Sequence, residues 1–380
     1  MGVRERREEA VADTMVERLA KLASMLIEER TVAHHEKALR DCFMWVGGYL
    51  HQHAPHAEPR FFEDGGFRSL LVTHGAGPAR VLLCGHLDVV PGDDEQFTPR
   101  RLSGDRLGGR GAADMKGPIA ALLDAFAAEP LPGLGLLLTS DEELGGEHGT
   151  RYVLDQLARE GALPAAALLP DGGANMRLVA EQKGVLRLRV VASGRAAHGA
   201  RPWLGVSAVE RLLAGYRAVL RAFPPPKAED DWRPSIALTQ LSTGDNAQNT
   251  IPARAEATLD IRFPAEVGRP EALCAQISAR LHRYGIAPSD VSIAPAFALD
   301  LGSSWVARLQ EVAASVRGEA LPLVREAGAS DARFFATYGI PALIFQPECV
   351  GWHGPDEWVN LESLAVFREI VARFVRAVLS

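Results

Sequence analysis

The chain has 380 residues, 47% hydrophobic and 23% charged, which is the composition of a folded protein with room for two or three domains. Its 41 basic and 48 acidic residues leave a net charge of −7, so no nucleic-acid partner is expected. No apolar run approaches the ~18 residues of a membrane span, and the charged stretch from Met1 to Ala10 has no apolar signal core. No membrane partner is expected, and the expected compartment is the cytoplasm.

In chain order, Val11, Met15, Leu19, Leu22 and Leu26 keep helical spacing and predict a first helix. The histidine-rich stretch His51 to His56 reads as a solvated loop. Buried strands are expected at Val81–Cys84, Leu134–Leu138 and Ala165–Leu169, with helices around Ile119–Phe126 and Tyr152–Leu157. Apolar strands alternating with helices predict an α/β fold, a mainly parallel sheet with helices on both faces. Near Gly184 the pattern changes. Leu186, Leu188 and Val190 alternate with Arg187 and Arg189, as in a strand with one wet face.

A helix from about Val206 to Phe223 ends at Pro224-Pro225-Pro226. Strands at Ser235–Leu241 and Ala255–Phe263, a helix at Pro270–Tyr284 and a strand near Val291–Ala294 follow. This β-α-β-β-α-β order predicts an inserted ferredoxin-like α+β domain. The expected division is 1–183 and 297–380 for the larger domain and 184–296 for the insert. Helices at Trp305–Val316 and Leu361–Leu379 and a strand at Ala342–Phe345 complete the larger fold. The cysteines Cys42, Cys84, Cys274 and Cys349 are far apart and read as buried free thiols.

The polar groups that stand out follow the predicted strands. They are His86 and Asp88 in Gly85-His86-Leu87-Asp88, Asp114 before a helix, the pair Glu142-Glu143, Asp171, and His353 in Gly351-Trp352-His353-Gly354. Open α/β sheets bind ligands beyond the carboxyl ends of their strands, so separate segments point at one rim. Two imidazoles with several carboxylates suit zinc. A carboxylate has two oxygens, as a ligand bridging two ions requires. Asp88 is placed to accept the second ring N–H of His86 and so fix its tautomer. Neighbouring side chains diverge, so one of Glu142 and Glu143 can bind metal while the other moves a proton.

These motifs resemble the M20-type metallopeptidases, the group of acetylornithine deacetylase, succinyl-diaminopimelate desuccinylase, glutamate carboxypeptidase and related dipeptidases. Gly85-His86-Leu87-Asp88-Val89-Val90-Pro91, the Gly109 to Gly117 segment and Asp141-Glu142-Glu143-Leu144-Gly145 carry the likeness. The resemblance implies a zinc-peptidase-like catalytic domain with two zinc ions, cobalt being a possible substitute. His86 and Asp171 would hold the first ion, Glu143 and His353 the second, and Asp114 would bridge them. Glu142 would be the base and later the proton donor, and the peptide after Asp114 would be cis.

The insert resembles the family's lid and dimerisation domain, implying a homodimer. Within it, His198 in Gly194 to Gly205 matches an oxyanion-holding histidine, in some relatives supplied by the other subunit. Asn249 matches a lid residue near the substrate, and Arg262 a carboxylate-binding arginine. Ser330, in Gly328-Ala329-Ser330-Asp331-Ala332-Arg333, matches a substrate-side loop. Three positions depart from the pattern. Asp171 stands where the deacylases usually carry Glu and several di- and tripeptidases carry Asp. Ser207 replaces a common asparagine, and Ala329 a frequent threonine. The expected substrate is a small N-acyl amino acid or short peptide with a free carboxylate. The rivals are a dipeptidase or carboxypeptidase on the same scaffold, and a non-catalytic binding protein that kept the fold.

Overall fold

A computed structural model describes residues 3–380 apart from 229 and 245, with side chains from residue 15 onward. Residues 1 and 2 of the charged start, and the side chain of Val11, therefore lie outside the described residues. The chain divides into two compact units. The larger runs to Ala180 and resumes over Leu299–Arg325 and Ser330–Ser380; the smaller comprises Glu181–Ala298 and Glu326–Ala329.

The larger unit is built on a six-stranded sheet. Leu134–Thr139, Val81–His86, Ala166–Leu169 and Ala342–Ile344 lie side by side and parallel, with His86 opposite Thr139 and Ile344 opposite Leu169. Their side chains are buried throughout, which is why each reads as an unbroken apolar run. The sheet is not parallel to its edge. A hairpin of Ala57–Asp64 and Phe67–His74 adds two antiparallel strands, with Leu70 opposite Leu138. Pro59 and several charges disguise the outer strand, which tolerates them because it is an edge. Gly65-Gly66, both at positive φ, make its two-residue turn.

Four helices, Val3–Glu28, Lys116–Ala128, Ser304–Arg317 and Leu361–Leu379, pack on one another. Thr150–Glu160 packs with Ala332–Thr337. Gly85 lets Lys116–Ala128 close on its strand, since a Cβ there would lie 3.0 Å from Ile119 and 3.1 Å from Met115. One expectation is corrected. The histidine-rich stretch is not wholly a loop, because His51 and His53 form the exposed last turn of a helix, Glu36–His53. That helix buries Leu39, Cys42, Phe43, Val46 and Leu50 at helical spacing. Cys42, Cys84 and Cys349 are buried free thiols, whereas Cys274 is partly exposed.

The smaller unit has a four-stranded antiparallel sheet in the order Ser235–Ser242, Arg254–Phe263, Gly184–Ser193, Ile286–Ala294. Numbered along the chain this is 2-3-1-4, the ferredoxin-like arrangement. Leu186, Leu188, Leu259 and Ile261 cover one face with Leu212 and Val219 of Ala208–Ala222 and Leu273 and Ile277 of Pro270–His282. Arg187 and Arg189 face solvent. Ser207 caps its helix by accepting the Glu210 N–H at 3.2 Å. Among the described residues no helix is long and apolar enough to cross a membrane.

Candidate metal centre

The parallel strands of the larger unit end on one rim. His86 is the last residue of its strand, and Glu142 and Glu143 open a 3₁₀ turn just beyond Thr139. Asp171 stands two residues past Leu169. Asp114 precedes the helix Lys116–Ala128, and its peptide bond to Met115 is cis. His353 sits in a hairpin loop between Cys349–Val350 and Trp358–Asn360. Trp358 pairs with Gly108, which brings that loop beside the chain leading to Asp114.

Ligand-type atoms of His86, Glu142 and Asp171 lie within 4.8 Å of one another, as do those of Asp114, Glu143 and His353. Asp114 joins the two groups. Its Oδ1 is 3.2 Å from His86 Nε2 and its Oδ2 is 3.3 Å from His353 Nε2. His353 Nε2 is also 3.2 Å from Glu143 Oε2.

Asp88 acts differently from the sequence expectation. His86 Nδ1 donates to the main-chain carbonyl of Asp88 at 2.9 Å, while the nearest carboxylate oxygen is 3.6 Å away, too far for a hydrogen bond. The tautomer is thus set by a backbone acceptor. The Asp88 carboxylate instead accepts the Glu143 N–H at 2.9 Å and so orients the second group.

Electrostatics show what the cluster needs. Burial and the neighbouring Asp171 carboxylate push Glu142 well above the usual carboxylate range. Burial and Asp114 do the same to Asp171. Burial also opposes the charge on Asp114, but hydrogen bonds with His353 and His86 hold it below its ordinary value. Hydrogen bonds to Asp114 and Glu143 raise His353 to about 10. Burial lowers His86, yet Asp114 and Asp88 carry it well above its usual value. Glu143 Oε1 and Asp171 Oδ2 are buried without a hydrogen-bond partner. Orphaned acceptors beside like charges suit divalent cations, and imidazole with carboxylate is the donor set of zinc.

This predicts a pH effect. Ligand imidazoles must be neutral and ligand carboxylates ionised, so zinc uptake should expel the protons that His86, His353 and Asp171 carry in the metal-free site. Affinity should therefore fall as pH drops below about 10, where His353 gains its proton. Calorimetry in buffers of different ionisation enthalpy measures the release. Heats independent of the buffer would contradict it.

Further residues that no sequence spacing signals hold the candidate ligands from behind. Glu357 Oε1 accepts the N–H groups of Ala113 at 2.9 Å and Asp114 at 3.1 Å, and its Oε2 pairs with Arg110 at 2.8 Å. Arg110 Nη2 donates to the His353 carbonyl at 3.3 Å, holding a residue whose φ is +62°. Behind Glu142, Asp331 accepts the Thr150 hydroxyl at 2.5 Å, and Arg333 donates to the Gly145 carbonyl at 2.7 Å. Gly146 must be glycine, because its φ is +66° and a Cβ would lie 2.1 Å from Asp331 Oδ1. Burial and Asp331 push the Asp141 carboxyl up to about 7.

The substrate-side expectations fall as follows. Ser330 is only 1% exposed, and its hydroxyl accepts the Ala332 N–H at 3.4 Å. In the smaller unit His198 and Asn249 meet. His198 Nδ1 accepts the Ala200 N–H at 3.1 Å, and its Nε2 is 3.1 Å from Asn249 Nδ2. Arg262 forks onto Asp260 at 2.7 and 3.3 Å.

Residues 82–377 match the sequence profile of Peptidase family M20/M25/M40. A succinyl-diaminopimelate desuccinylase from Acidiphilium cryptum is 34% identical over 328 residues, 81% of this chain and 85% of that one. A probable carboxypeptidase from Aspergillus terreus is 31% identical over 266 residues, 65% of this chain and 60% of that one. Among solved structures, human carnosine dipeptidase 1 shares the fold with a TM-score of 0.75 at 14% identity, covering 97% of this chain and 98% of that one. The protein is a hydrolase of amide bonds in acyl amino acids or peptides, not a non-catalytic binder. The family profile spans most of the chain, and the residues gathered at the rim lie within it: the chain belongs to peptidase family M20/M25/M40.

Proposed function

We propose that the protein is a two-zinc hydrolase that cleaves the amide bond of a small N-acyl amino acid or short peptide with a free carboxylate. The observation that carries this reading is the Asp114 carboxylate, whose two oxygens each face a different imidazole, at 3.2 and 3.3 Å. His86 and Asp171 would hold one ion, Glu143 and His353 the other, with Asp114 between them. Bound zinc supplies positive charge that polarises a carbonyl and acidifies water. Glu142 takes the proton from the attacking water and returns it to the leaving amine nitrogen. Burial and the Asp171 carboxylate raise its affinity for a proton, which favours a group that first takes a proton and then returns it.

Arg262 is the candidate fork for the substrate carboxylate, and capture would exchange the Asp260 carboxylate for that of the substrate. Asn249 is proposed as its neighbour on the substrate side. The desuccinylase relatives support a deacylase. A dipeptidase or carboxypeptidase is favoured instead by Asp171, the shorter carboxylate at a position where deacylases usually carry Glu. A panel of N-succinyl and N-acetyl amino acids and dipeptides, run beside metal analysis, tests the reading. Two bound zinc ions with turnover of one class support it. Absence of bound metal, or carboxylate-capped substrates cleaved as well as free ones, would overturn it.

His198 is proposed to hold the oxyanion. Nδ1 accepts the Ala200 N–H, which leaves Nε2 as the nitrogen to carry the donor proton, and that requires the Asn249 amide to turn its oxygen rather than its nitrogen towards Nε2. His198→Ala should lower kcat by ~10²–10³ without changing zinc content. A homodimer through the smaller unit belongs to this reading, and the exposed Trp203, Leu204, Leu241 and Val291 support it. If His198 acts in trans, mixed dimers of His198→Ala and Glu142→Gln subunits should regain activity. Verified mixed dimers that stay inactive would place His198 in cis. The four free cysteines suit a reducing compartment, and the proposal places the reaction in the cytoplasm.

A further inference from the structure

Gln346 is fully buried, two residues beyond the strand Ala342–Ile344. That strand pairs in parallel with Ala166–Leu169, so Gln346 lies on the same rim as the candidate ligands. Its Nε2 donates to two carbonyls, that of Ala113 at 3.2 Å and that of Pro170 at 2.5 Å. Each belongs to the residue immediately before a candidate ligand, Asp114 in one case and Asp171 in the other. A carboxamide nitrogen has two N–H groups, and here both are spent on ligand-bearing loops. Its Oε1 takes the Cys349 thiol at 3.6 Å. Turning the amide over would set its oxygen against two carbonyl oxygens, so its partners define its orientation. The main chain adds to the clamp. The Gln346 N–H donates to the Gly173 carbonyl at 3.2 Å, and its own carbonyl accepts the Met176 N–H at 2.9 Å.

We propose that Gln346 is a positioning residue that sets the distance between Asp114 and Asp171, and through it the affinity of the metal site those two share. The inference rests on the assignment of both as ligands made above. The two loops come from distant parts of the chain, residues 109–115 and 170–176, and Gln346 bonds directly to both. Asp171 depends on this most. Its Oδ2 is buried without a hydrogen-bond partner, so the backbone that Gln346 holds is what sets the position of the carboxylate. Without the clamp the loop after Leu169 relaxes away, and the site that uses Asp171 loosens. The site of Glu143 and His353 keeps its own supports, Asp88 and Arg110.

The test is zinc-loaded enzyme dialysed against graded buffers of free zinc, with bound ions counted. Gln346→Met preserves length and removes both donors; Gln346→Asn keeps the amide but is one methylene too short to span both carbonyls. Wild type should release its two ions at high and low free zinc. In either variant one ion should come off at ~10–100-fold higher free zinc, the range for lost partners behind a ligand, while the other stays within about threefold of wild type. Either variant suffices if the other does not fold. Unchanged release of both ions would overturn the proposal. So would equal weakening of both together with a lower melting temperature of the metal-free protein, which marks a merely structural residue. A wild type that never holds two ions would instead overturn the ligand assignment itself.

Discussion

Glu142→Gln is expected to keep two zinc ions and to lose at least three to four orders of magnitude in kcat. The expectation is sharp because Glu142 stands where a ligand could stand, its carboxylate grouped with His86 and Asp171. Two readings therefore compete. A ligand acts in binding, so its loss empties a site. A base acts in the transition state, so its loss lowers kcat and kcat/KM together. Each general acid–base step contributes roughly 10²–10⁴, and Glu142 would serve twice, once on water and once on the leaving nitrogen.

Glu143 is the control. Its backbone N–H is fixed by Asp88 and its Oε2 lies against His353, so Glu143→Gln should lose metal first. Elemental analysis beside steady-state kinetics separates the cases. Loss of zinc from Glu142→Gln, or near-normal turnover, would exchange the two assignments.

The ligand-type residues were legible because chemistry and topology coincide. His86, Glu142, Glu143 and Asp171 each follow an apolar run that can only be a buried strand, and parallel strands end together. The insert was legible from its alternation, since Leu186, Leu188 and Val190 face the core while Arg187 and Arg189 face water. What stayed hidden acts through backbone atoms or across long separations. Glu357 binds the N–H groups of Ala113 and Asp114, and Gln346 binds the carbonyls of Ala113 and Pro170. No spacing rule connects a side chain to a peptide group more than 170 residues away.

The helix Glu36–His53 was masked by Gly47-Gly48, which costs helix propensity while leaving the buried face of Leu39, Phe43, Val46 and Leu50 intact. The sequence places Asp88 beside His86, but its main-chain carbonyl, not its carboxylate, makes the contact. The residue type announced a hydrogen bond to His86, but only the folded backbone shows that the carbonyl makes it.

Glu357→Gln should weaken both the fold and the metal centre. Glu357 is 3% exposed, and its carboxylate meets the N–H groups of Ala113 and Asp114 on one oxygen and Arg110 on the other. A carboxamide has one acceptor oxygen and two donors, so whichever way it turns, N–H faces N–H. Facing Arg110, it leaves a buried guanidinium without its counter-charge. Breaking one side of a buried pair costs about 3–5 kcal/mol, and for a unit of this size each kcal/mol is worth about 2–4 °C, so the thermal midpoint should fall on the order of 10 °C. Zinc should weaken at both sites, because Glu357 holds the backbone of Asp114 and Arg110 holds the carbonyl of His353.

The double change Arg110→Met, Glu357→Met separates the two effects. Replacing a whole buried pair by apolar groups of similar volume is often neutral for stability, so the melting temperature should recover much of its loss. The N–H groups of Ala113 and Asp114 would still lack their acceptor, so zinc affinity should stay low. Recovery of zinc binding along with stability would show that Glu357 only supports the fold; recovery of stability alone would show that it also aims the carboxylate between the two imidazoles.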